Sequence, residues 1–450
     1  MQNYARVITD DPTDKELDYS IPQSWAGKVH IGSRVKVPLR SREILATVVA
    51  LVDTPSVPEP KIILGLISES PILNKSLLAL ARWMAEYYCC PVESAIRSLL
   101  PEVIRKAKVG FKRERIVSLS REVSETELQS LEAKAPRQAQ VLRFLIEASE
   151  PIRWRELQQR VSTTDRTIQQ LVGRNLLQIE LETADRDPYG SERFVSSTAL
   201  EMNPDQKKAL EMVIHSVEAR DNRPILLHGV TGSGKTEIYL QAIDHCLNQD
   251  LGALVLVPEI SLTPQTVERF KMRFQADLIA VLHSHLSAGE RHDEWHKLNS
   301  GRARVAIGAR SAVFAPVQRL GLIVVDEEHE TSYKQEETPR YHARDLAVVR
   351  AQIDRCAILL GSATPSLESY HNAKTGKYRL ACLTSRVDDR QLPLNGARHG
   401  SNQPGHRRAD HVIGQQPSAT RPDGEDALLL TESDDTGDRK AIGEVIGEGQ

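Results

Sequence analysis

Ile225-Leu226-Leu227-His228-Gly229-Val230-Thr231-Gly232-Ser233-Gly234-Lys235-Thr236-Glu237-Ile238-Tyr239-Leu240 is the stretch whose reading decides the fold. The apolar run Ile225 to Leu227 predicts a buried strand, and Glu237 to Leu240 opens a helix. Between them, Gly229 to Thr236 satisfies G-x-x-x-x-G-K-[ST] in the strand–loop–helix setting that a phosphate-binding loop requires. Glycines let the backbone curl so that several N–H groups face one point, where the helix N-terminus adds positive potential. Gly229, Thr231, Gly232, Ser233, Gly234, Lys235 and Thr236 are therefore the candidate nucleotide-binding residues. Lys235 is placed to reach the β- and γ-phosphates, and the Thr236 hydroxyl to ligate Mg²⁺. A glycine-rich turn met by chance is the alternative, and the flanking strand and helix weigh against it.

Outward from this loop, apolar strand candidates recur at Ala253–Val257, Leu278–Leu282, Arg304–Ile307, Leu322–Val325 and Ala357–Leu360, with segments of helical length between them. That alternation predicts an α/β domain over about 200–385, with a parallel sheet covered on both faces. Leu322-Ile323-Val324-Val325 runs into Asp326-Glu327-Glu328-His329. Near a phosphate loop, Asp326 is placed to hold Mg²⁺ and Glu327 to polarise an attacking water; alone, the run would read as a solvated acidic turn. Ser362 and Thr364, after the strand Leu359-Leu360, are small hydroxyls able to couple phosphate state to movement.

Residues 1–106 predict a small β-rich barrel or sandwich followed by a helix. Short strands are expected at Arg6–Ile8, Leu17–Pro22, Ser33–Pro38 and Ile44–Val52, and a helix at Asn74–Tyr88 with Asn74 as its cap. Residues 107–135 read as a solvated linker, entered through a basic stretch that runs from Arg105 and Lys106 to Lys108, Lys112 and Arg113. Residues 136–183 read as three short helices and a hairpin, with a strand at Leu176–Leu181, a winged-helix pattern. Its third helix carries Arg166, Gln169, Gln170 and Arg174, suited to a DNA groove or to protein docking. Residues 395–450 hold no aromatic residue, cysteine or methionine, and read as a disordered tail.

Across 450 residues the formal net charge is −3, so any nucleic-acid surface must come from local patches. Five cysteines without a C-x-x-C pair argue against a disulfide scaffold and a zinc ribbon. No apolar run reaches membrane-spanning length and no signal pattern opens the chain, so a cytoplasmic protein without a membrane partner is expected.

Gly-Ser-Gly-Lys-Thr, Asp-Glu-Glu-His and Ser-Ala-Thr, in this order, resemble motifs I, II and III of superfamily 2 helicases. Over 1–394 the chain is similar to the PriA family, primosomal protein N′. Val257–Gln265, Ile307–Pro316, and Ser332–Glu337 through Arg340–Asp345 carry that likeness. The resemblance implies a RecA-like P-loop lobe in a multidomain protein, using ATP and Mg²⁺ for 3′→5′ unwinding at stalled replication forks. It implies Lys235, Asp326 and Glu327 as catalytic residues and Gln206, in Asn203-Pro204-Asp205-Gln206, as the adenine reader. Ser332–Asp345 is similar to the family's aromatic-rich loop. There Tyr333 and Tyr341 are expected to stack on bases, while Lys334, Arg340 and Arg344, with Arg310, meet DNA. Asp18 matches the carboxylate that meets a terminal 3′-hydroxyl, and Lys61 falls where the family has a lysine. Leu17 and Arg40 depart from that pocket's pattern, in which an aromatic residue and a glycine are usual.

Forked DNA with a free 3′ end and single-stranded DNA are the implied ligands. Single-stranded-DNA-binding protein and other primosome proteins are the implied partners, in a bacterial, nucleoid-associated setting. The likeness breaks within Arg386–Leu394, which reads as a truncation followed by a frame-shifted or disordered tail. The family's second lobe with its arginines, and the cysteines of its zinc module, are not in this sequence. A non-enzymatic module binding fork DNA and ATP is the alternative, and a P-loop kinase a more distant one.

Overall fold

The barrel expected at the N-terminus is built from five antiparallel strands: β1 (Tyr4–Thr9), β2 (Leu17–Ser20), β3 (Arg34–Leu39), β4 (Arg42–Val52) and β5 (Gly65–Leu66), in the order β2-β1-β4-β3-β5. Alternate side chains Ala5, Val7, Val35, Val37, Ala46 and Val48 point inward with Tyr19 and Ile63. The edge strand β2 does not stay open. Ser20 N–H donates to the Lys61 carbonyl at 2.8 Å and Ile63 N–H to the Ser20 carbonyl at 3.1 Å, so the chain entering β5 closes the sheet on itself. Arg40, at the β3–β4 turn, has φ +53°, the left-handed region that glycine adopts most easily. The computed structural model describes residues 3–11, 15–68, 70–105, 110–184, 186 and 197–386; the tail at 395–450 lies outside them.

Helix α1 (Lys75–Tyr87) is capped by Asn74, whose side chain accepts Leu77 N–H at 2.8 Å. Leu77, Leu80, Ala81 and Met84 are buried, whereas Tyr87 is 64% exposed. With α2 (Val92–Leu99) and α3 (Glu102–Arg105), α1 shares one apolar cluster with Phe314, Tyr341 and Leu346 of the later α/β domain.

The segment read as a linker is structured. β6 (Lys112–Leu119) and α4 (Glu125–Lys134) occupy most of 107–135, and β6 pairs antiparallel with β8 (Leu177–Ala184) from Lys112↔Ala184 to Leu119↔Leu177. The charged composition hid a strand whose ions are paired. Glu114 meets Arg153 at 3.5 Å and also pairs with Lys112, and the Arg115 guanidinium covers the Trp154 ring at 4.4 Å. Between these strands come α5 (Pro136–Ala148), β7 (Ile152–Arg153), α6 (Trp154–Val161) and α7 (Asp165–Gly173). Thr164 caps α7, Ile168 and Leu171 are buried, and Arg166, Gln169, Gln170 and Arg174 are exposed.

The α/β domain runs α8 (Pro204–Glu218), β9 (Ile225–Gly229), α9 (Lys235–Asn248), β10 (Gly252–Leu256), α10 (Pro264–Arg273), β11 (Ile279–Leu282), α11 (Ala288–Asn299), β12 (Val305–Gly308), β13 (Leu320–Val325), α12 (Ala343–Asp354), β14 (Ala357–Ser362), α13 (Leu367–Lys374) and β15 (Arg379–Leu383). Its seven strands are all parallel, in the order β11-β12-β10-β13-β14-β9-β15. Helices cover both faces, so Leu226 joins one apolar cluster while Ile225 and Leu227 join the other. The strand not expected in this domain is β15, an edge strand with the apolar run Leu380–Leu383, in which Ala381 and Leu383 are buried.

Candidate nucleotide-binding site

The strand order sets the carboxyl ends of β13, β14 and β9 side by side, where ligands of open parallel sheets bind. The phosphate loop follows β9, Asp326-Glu327 follows β13, and Ser362 ends β14. Residues Thr231 to Thr236, Asp326 and Glu327 line one cavity of about 620 Å³, with Arg269 and Arg273 of α10 opposite. That volume suits a nucleotide-sized ligand.

The loop's conformation follows from its glycines. Gly232 and Gly234 have φ +80° and +83°, and α9 begins at Lys235. A Cβ at Gly229 would stand 2.6 Å from Ser233 Oγ and 2.9 Å from Leu383 Cβ. The Lys235 ammonium donates to the Gly229 carbonyl at 3.0 Å and lies 3.5 Å from Glu327 Oε1. Ser233 Oγ is buried with no hydrogen-bond partner among the described residues. A curled loop, a nearly buried cation and a spare hydroxyl fit the polyphosphate of ATP.

Gln206 does not face an open base site. It is buried, its Oε1 accepts Asn203 N–H at 2.8 Å, and its Nε2 donates to the Ser233 carbonyl at 2.9 Å. A capping-box position at the start of α8 consumes the amide, which braces the phosphate loop from below.

Asp326 Oδ1 accepts the Tyr239 hydroxyl at 3.0 Å, and its backbone carbonyl accepts the Tyr333 hydroxyl at 2.7 Å. Burial, and then the Glu327 charge, push the Asp326 carboxyl above its ordinary range. Burial and the Asp326 charge hold Tyr239 far above the usual phenol range, so it remains a donor. Gly361 makes room for this ring: a Cβ there would stand 1.8 Å from the Tyr239 hydroxyl oxygen. Gly361→Ala is expected to cost about 1–3 kcal/mol in thermal or urea unfolding, with part of the loss recovered in Gly361→Ala/Tyr239→Phe. No recovery would mean that the clash lies elsewhere.

Glu327 adopts φ +41°, a turn that brings its carboxylate back to β14, where Oε2 accepts Ala363 N–H at 3.4 Å. His329 Nδ1 lies 3.7 Å from Glu327 Oε2 and 2.8 Å from Ser362 Oγ, and its Nε2 lies 3.3 Å from Thr364 Oγ1. The imidazole therefore ties the acidic strand end to Ser362 and Thr364. Glu328, fully buried, accepts Ser366 N–H at 2.7 Å, Ser366 Oγ at 3.0 Å, Ser369 Oγ at 2.8 Å and Arg344 Nη1 at 3.2 Å.

Three of the residues expected to touch DNA are otherwise employed. The Tyr333 and Tyr341 rings are buried, Tyr341 edge-on to Phe314 at 5.2 Å, so neither offers a face to a base. The chain from Lys334 to His342 forms a hairpin closed by an antiparallel bridge between those two residues, and apolar packing beneath it outweighs exposure of rings that local sequence alone cannot orient. Arg344 is bound to Glu328, to Ser366 Oγ at 2.8 Å and to Asp345 at 2.9 Å, and so is not open to a phosphate. Lys334 and Arg340 are exposed; Arg310, half-buried, donates to the Lys334 carbonyl.

In the barrel, Asp18 is likewise committed. Its side chain is fully buried, pairs with Arg6 at 2.8 and 3.1 Å, and accepts Ser56 N–H at 2.7 Å, which leaves little of the carboxylate for a 3′-hydroxyl. Lys61 is exposed. The Arg6 hydrogen bond, against the cost of burial, lowers Asp18 from 3.8 to about 2. A depressed carboxyl contributes stability above its unfolded pKa, near 4, and loses it as pH falls through about 2. Asp18→Asn should therefore be less stable than the parent at pH 5, with the gap closing by pH 2 in thermal unfolding. A gap independent of pH would count against this pair.

Sequence reasoning missed Tyr239, Glu328 and the α10 wall, where Arg273 pairs with the half-buried Glu237 at 2.7 Å. The spacing offered signals: Tyr239 is four residues after Lys235, and Arg269 and Arg273 are four apart on one helix face.

Known proteins share these parts. Residues 6–101 match the 3′DNA-binding domain (3′BD) of PriA, and residues 203–373 the DEAD/DEAH box helicase domain. The chain is 35% identical to the replication restart protein PriA of Bacillus subtilis, over 87% of this chain and 57% of that one. It is 37% identical to PriA of Chlamydia trachomatis, over 85% and 52%. It thus spans about half the length of these curated relatives. RecG bound to a three-way DNA junction overlaps 41% of this chain and 24% of its own at 23% identity, with a TM-score of 0.31. In these two matched domains and over about half the length of these relatives, the chain is similar to replication restart proteins of the PriA type.

Proposed function

We propose that this chain supplies the ATP-binding lobe and a DNA-binding barrel of an ATP-dependent 3′→5′ DNA helicase that acts in replication restart. The observation that carries this reading is the convergence of Lys235, Thr236, Asp326 and Glu327 on one cavity at adjacent strand ends. The loop amides and Lys235 bind the phosphates; Thr236 and Asp326 would hold Mg²⁺, which neutralises phosphate charge when bound. Glu327, turned toward the cavity and held by Ala363 N–H, orients a water. His329 passes a shift of Glu327 to Ser362 and Thr364.

Forked DNA with a free 3′ end and single-stranded DNA are the ligands this reading assigns, with exposed Lys61, Lys334 and Arg340 meeting phosphates. Residues 136–183 act as a winged helix whose α7 face, with Arg166, Gln169, Gln170 and Arg174, lies toward DNA. Single-stranded-DNA-binding protein and primosome proteins are its partners, in a cytoplasmic, nucleoid-associated setting. Among the described residues, no helix is long and apolar enough to cross a membrane.

The test is ATP turnover by the full chain with and without forked DNA, beside Glu327→Gln. DNA-stimulated hydrolysis that Glu327→Gln lowers by more than a hundredfold is the expected result. A flat, negligible rate with fork binding intact would leave a module that binds fork DNA and ATP without turnover.

A further inference from the structure

At the amino ends of the parallel strands, the edge opposite the nucleotide site, arginines recur. Arg304 precedes β12 and Arg319 precedes β13, while Arg355 lies two residues before β14 and Arg223 two before β9. The strand order β12-β10-β13-β14-β9 sets these entries side by side over about 20 Å, at roughly 4.8 Å per strand. The row is continuous. Exposed Asp250, at the entry to β10, pairs with Arg304 at 2.7 Å and also with Arg319. Arg220 Nη1 donates to the Leu320 carbonyl, at the start of β13, at 3.1 Å. The other acids in these connections are taken up elsewhere: Asp221 pairs with Arg379, and Asp354 with Arg350 at 3.2 Å. Arg319 keeps 62% of its side chain exposed, and the guanidinium of exposed Arg355 has no partner among the described residues. The row stops at β11, whose entry carries Asp277 instead.

Arg220, Arg319 and Arg355 have φ between +49° and +51°, where glycine would be the easier residue. Cations suit helix C-termini. That accounts for Arg220 and Arg355, placed just after α8 and α12, and for Arg304, whose Nη2 donates to the Leu247 carbonyl of α9 at 3.4 Å. It does not account for Arg319, which follows no α-helix.

We propose that this arginine edge is a binding surface for the phosphate backbone of duplex DNA, separate from the nucleotide cavity. The inference rests on the reading of the chain as a DNA-acting protein and adds to it a place for a duplex arm. On a chain whose formal net charge is −3, a local cationic strip is what attracts a polyanion. Guanidinium forks match phosphate oxygens, and a strip of about 20 Å follows about six nucleotides of one strand, at roughly 3.4 Å each. No aromatic residue stands in the connections 219–224, 249–251, 301–304, 318–319 and 354–356. The strip therefore lacks the stacking faces that hold unpaired bases, which favours a duplex over a single strand.

The experiment titrates the full chain into a labelled duplex of about 20 base pairs and into oligo-dT, following anisotropy from about 50 to 200 mM salt. Arg319→Gln/Arg355→Gln should weaken the duplex about tenfold, flatten the slope of log K against log salt by about 2, and change oligo-dT by about twofold at most. Asp250→Asn removes the acid between Arg304 and Arg319 and keeps a residue suited to φ +56°. It should strengthen duplex binding about threefold. Duplex affinity and salt slope equal to the parent's in the double variant, with ATP binding and melting temperature intact, would overturn this surface alone. If the double variant melts early, the Asp250→Asn result decides, and unchanged or weaker duplex binding there rejects the surface. Equal losses on duplex and oligo-dT would contradict the duplex assignment. Polyglutamate that competes with the duplex on the parent but no longer binds the double variant would hand the strip to an acidic protein and reject the proposal. Absence of any DNA binding by the parent chain would overturn the functional reading with it.

Discussion

Lys235→Ala is expected to weaken ATP binding by about a hundredfold or more. The ammonium is nearly buried, 3.0 Å from the Gly229 carbonyl and 3.5 Å from Glu327, at the floor of the cavity. Phosphates entering the loop compete for it and gain a partly desolvated charge pair. Removing one member of such a pair costs about 2–5 kcal/mol, because the other is left buried and unpaired. Competition against a fluorescent ATP analogue measures the loss, and thermal unfolding without nucleotide separates it from damage to the fold. An affinity within fivefold of the parent would mean that Lys235 does not meet phosphate.

Glu328→Ala should produce the largest loss of stability in the chain. The carboxylate lies behind the catalytic candidates, fully buried, and collects Arg344, Ser366 and Ser369 around one point. Truncation leaves the Arg344 guanidinium, itself largely buried, with only the more exposed Asp345 as counter-ion. Breaking a buried pair in this way costs about 3–5 kcal/mol, which lowers the melting temperature by about 6–20 °C in a domain of this size. Arg344→Ala should cost a similar amount, and the double variant clearly less than the sum. A fall below about 2 °C for Glu328→Ala, or additive single losses, would show that the cluster is not a cooperative unit.

The α/β domain was legible because its signals are local. Ile225–Leu227 with Gly229–Thr236 fixes strand, loop and helix within sixteen residues, and apolar runs locate six of the seven parallel strands. The edge strand β15 carries an apolar run too, Leu380–Leu383, but lies past the last motif with no chemistry attached to mark it. The directions of individual side chains were less legible. Tyr333, Tyr341, Arg344, Asp18 and Gln206 each belong to a motif, but what each touches depends on residues 7 to 27 positions away: Asp326, Phe314, Glu328, Arg6 and Ser233. Sequence spacing names the chemistry a residue can do; the packing of distant elements decides whether its polar atoms remain free to do it. β6 shows the same limit at the level of an element, since its charges look solvated until β8, Arg153 and Trp154 are placed beside them.

Hydrogen exchange of the full chain with and without Mg²⁺ and a non-hydrolysable ATP analogue tests most directly whether three strand ends form one nucleotide site. The expected result is slowed exchange in three separate segments: 230–237 at the phosphate loop, 326–330 at the acidic strand end, and 361–366 at the Ser362–Thr364 turn. Protection of the loop alone would contradict the His329 link, and no protection in any of the three would contradict the site itself.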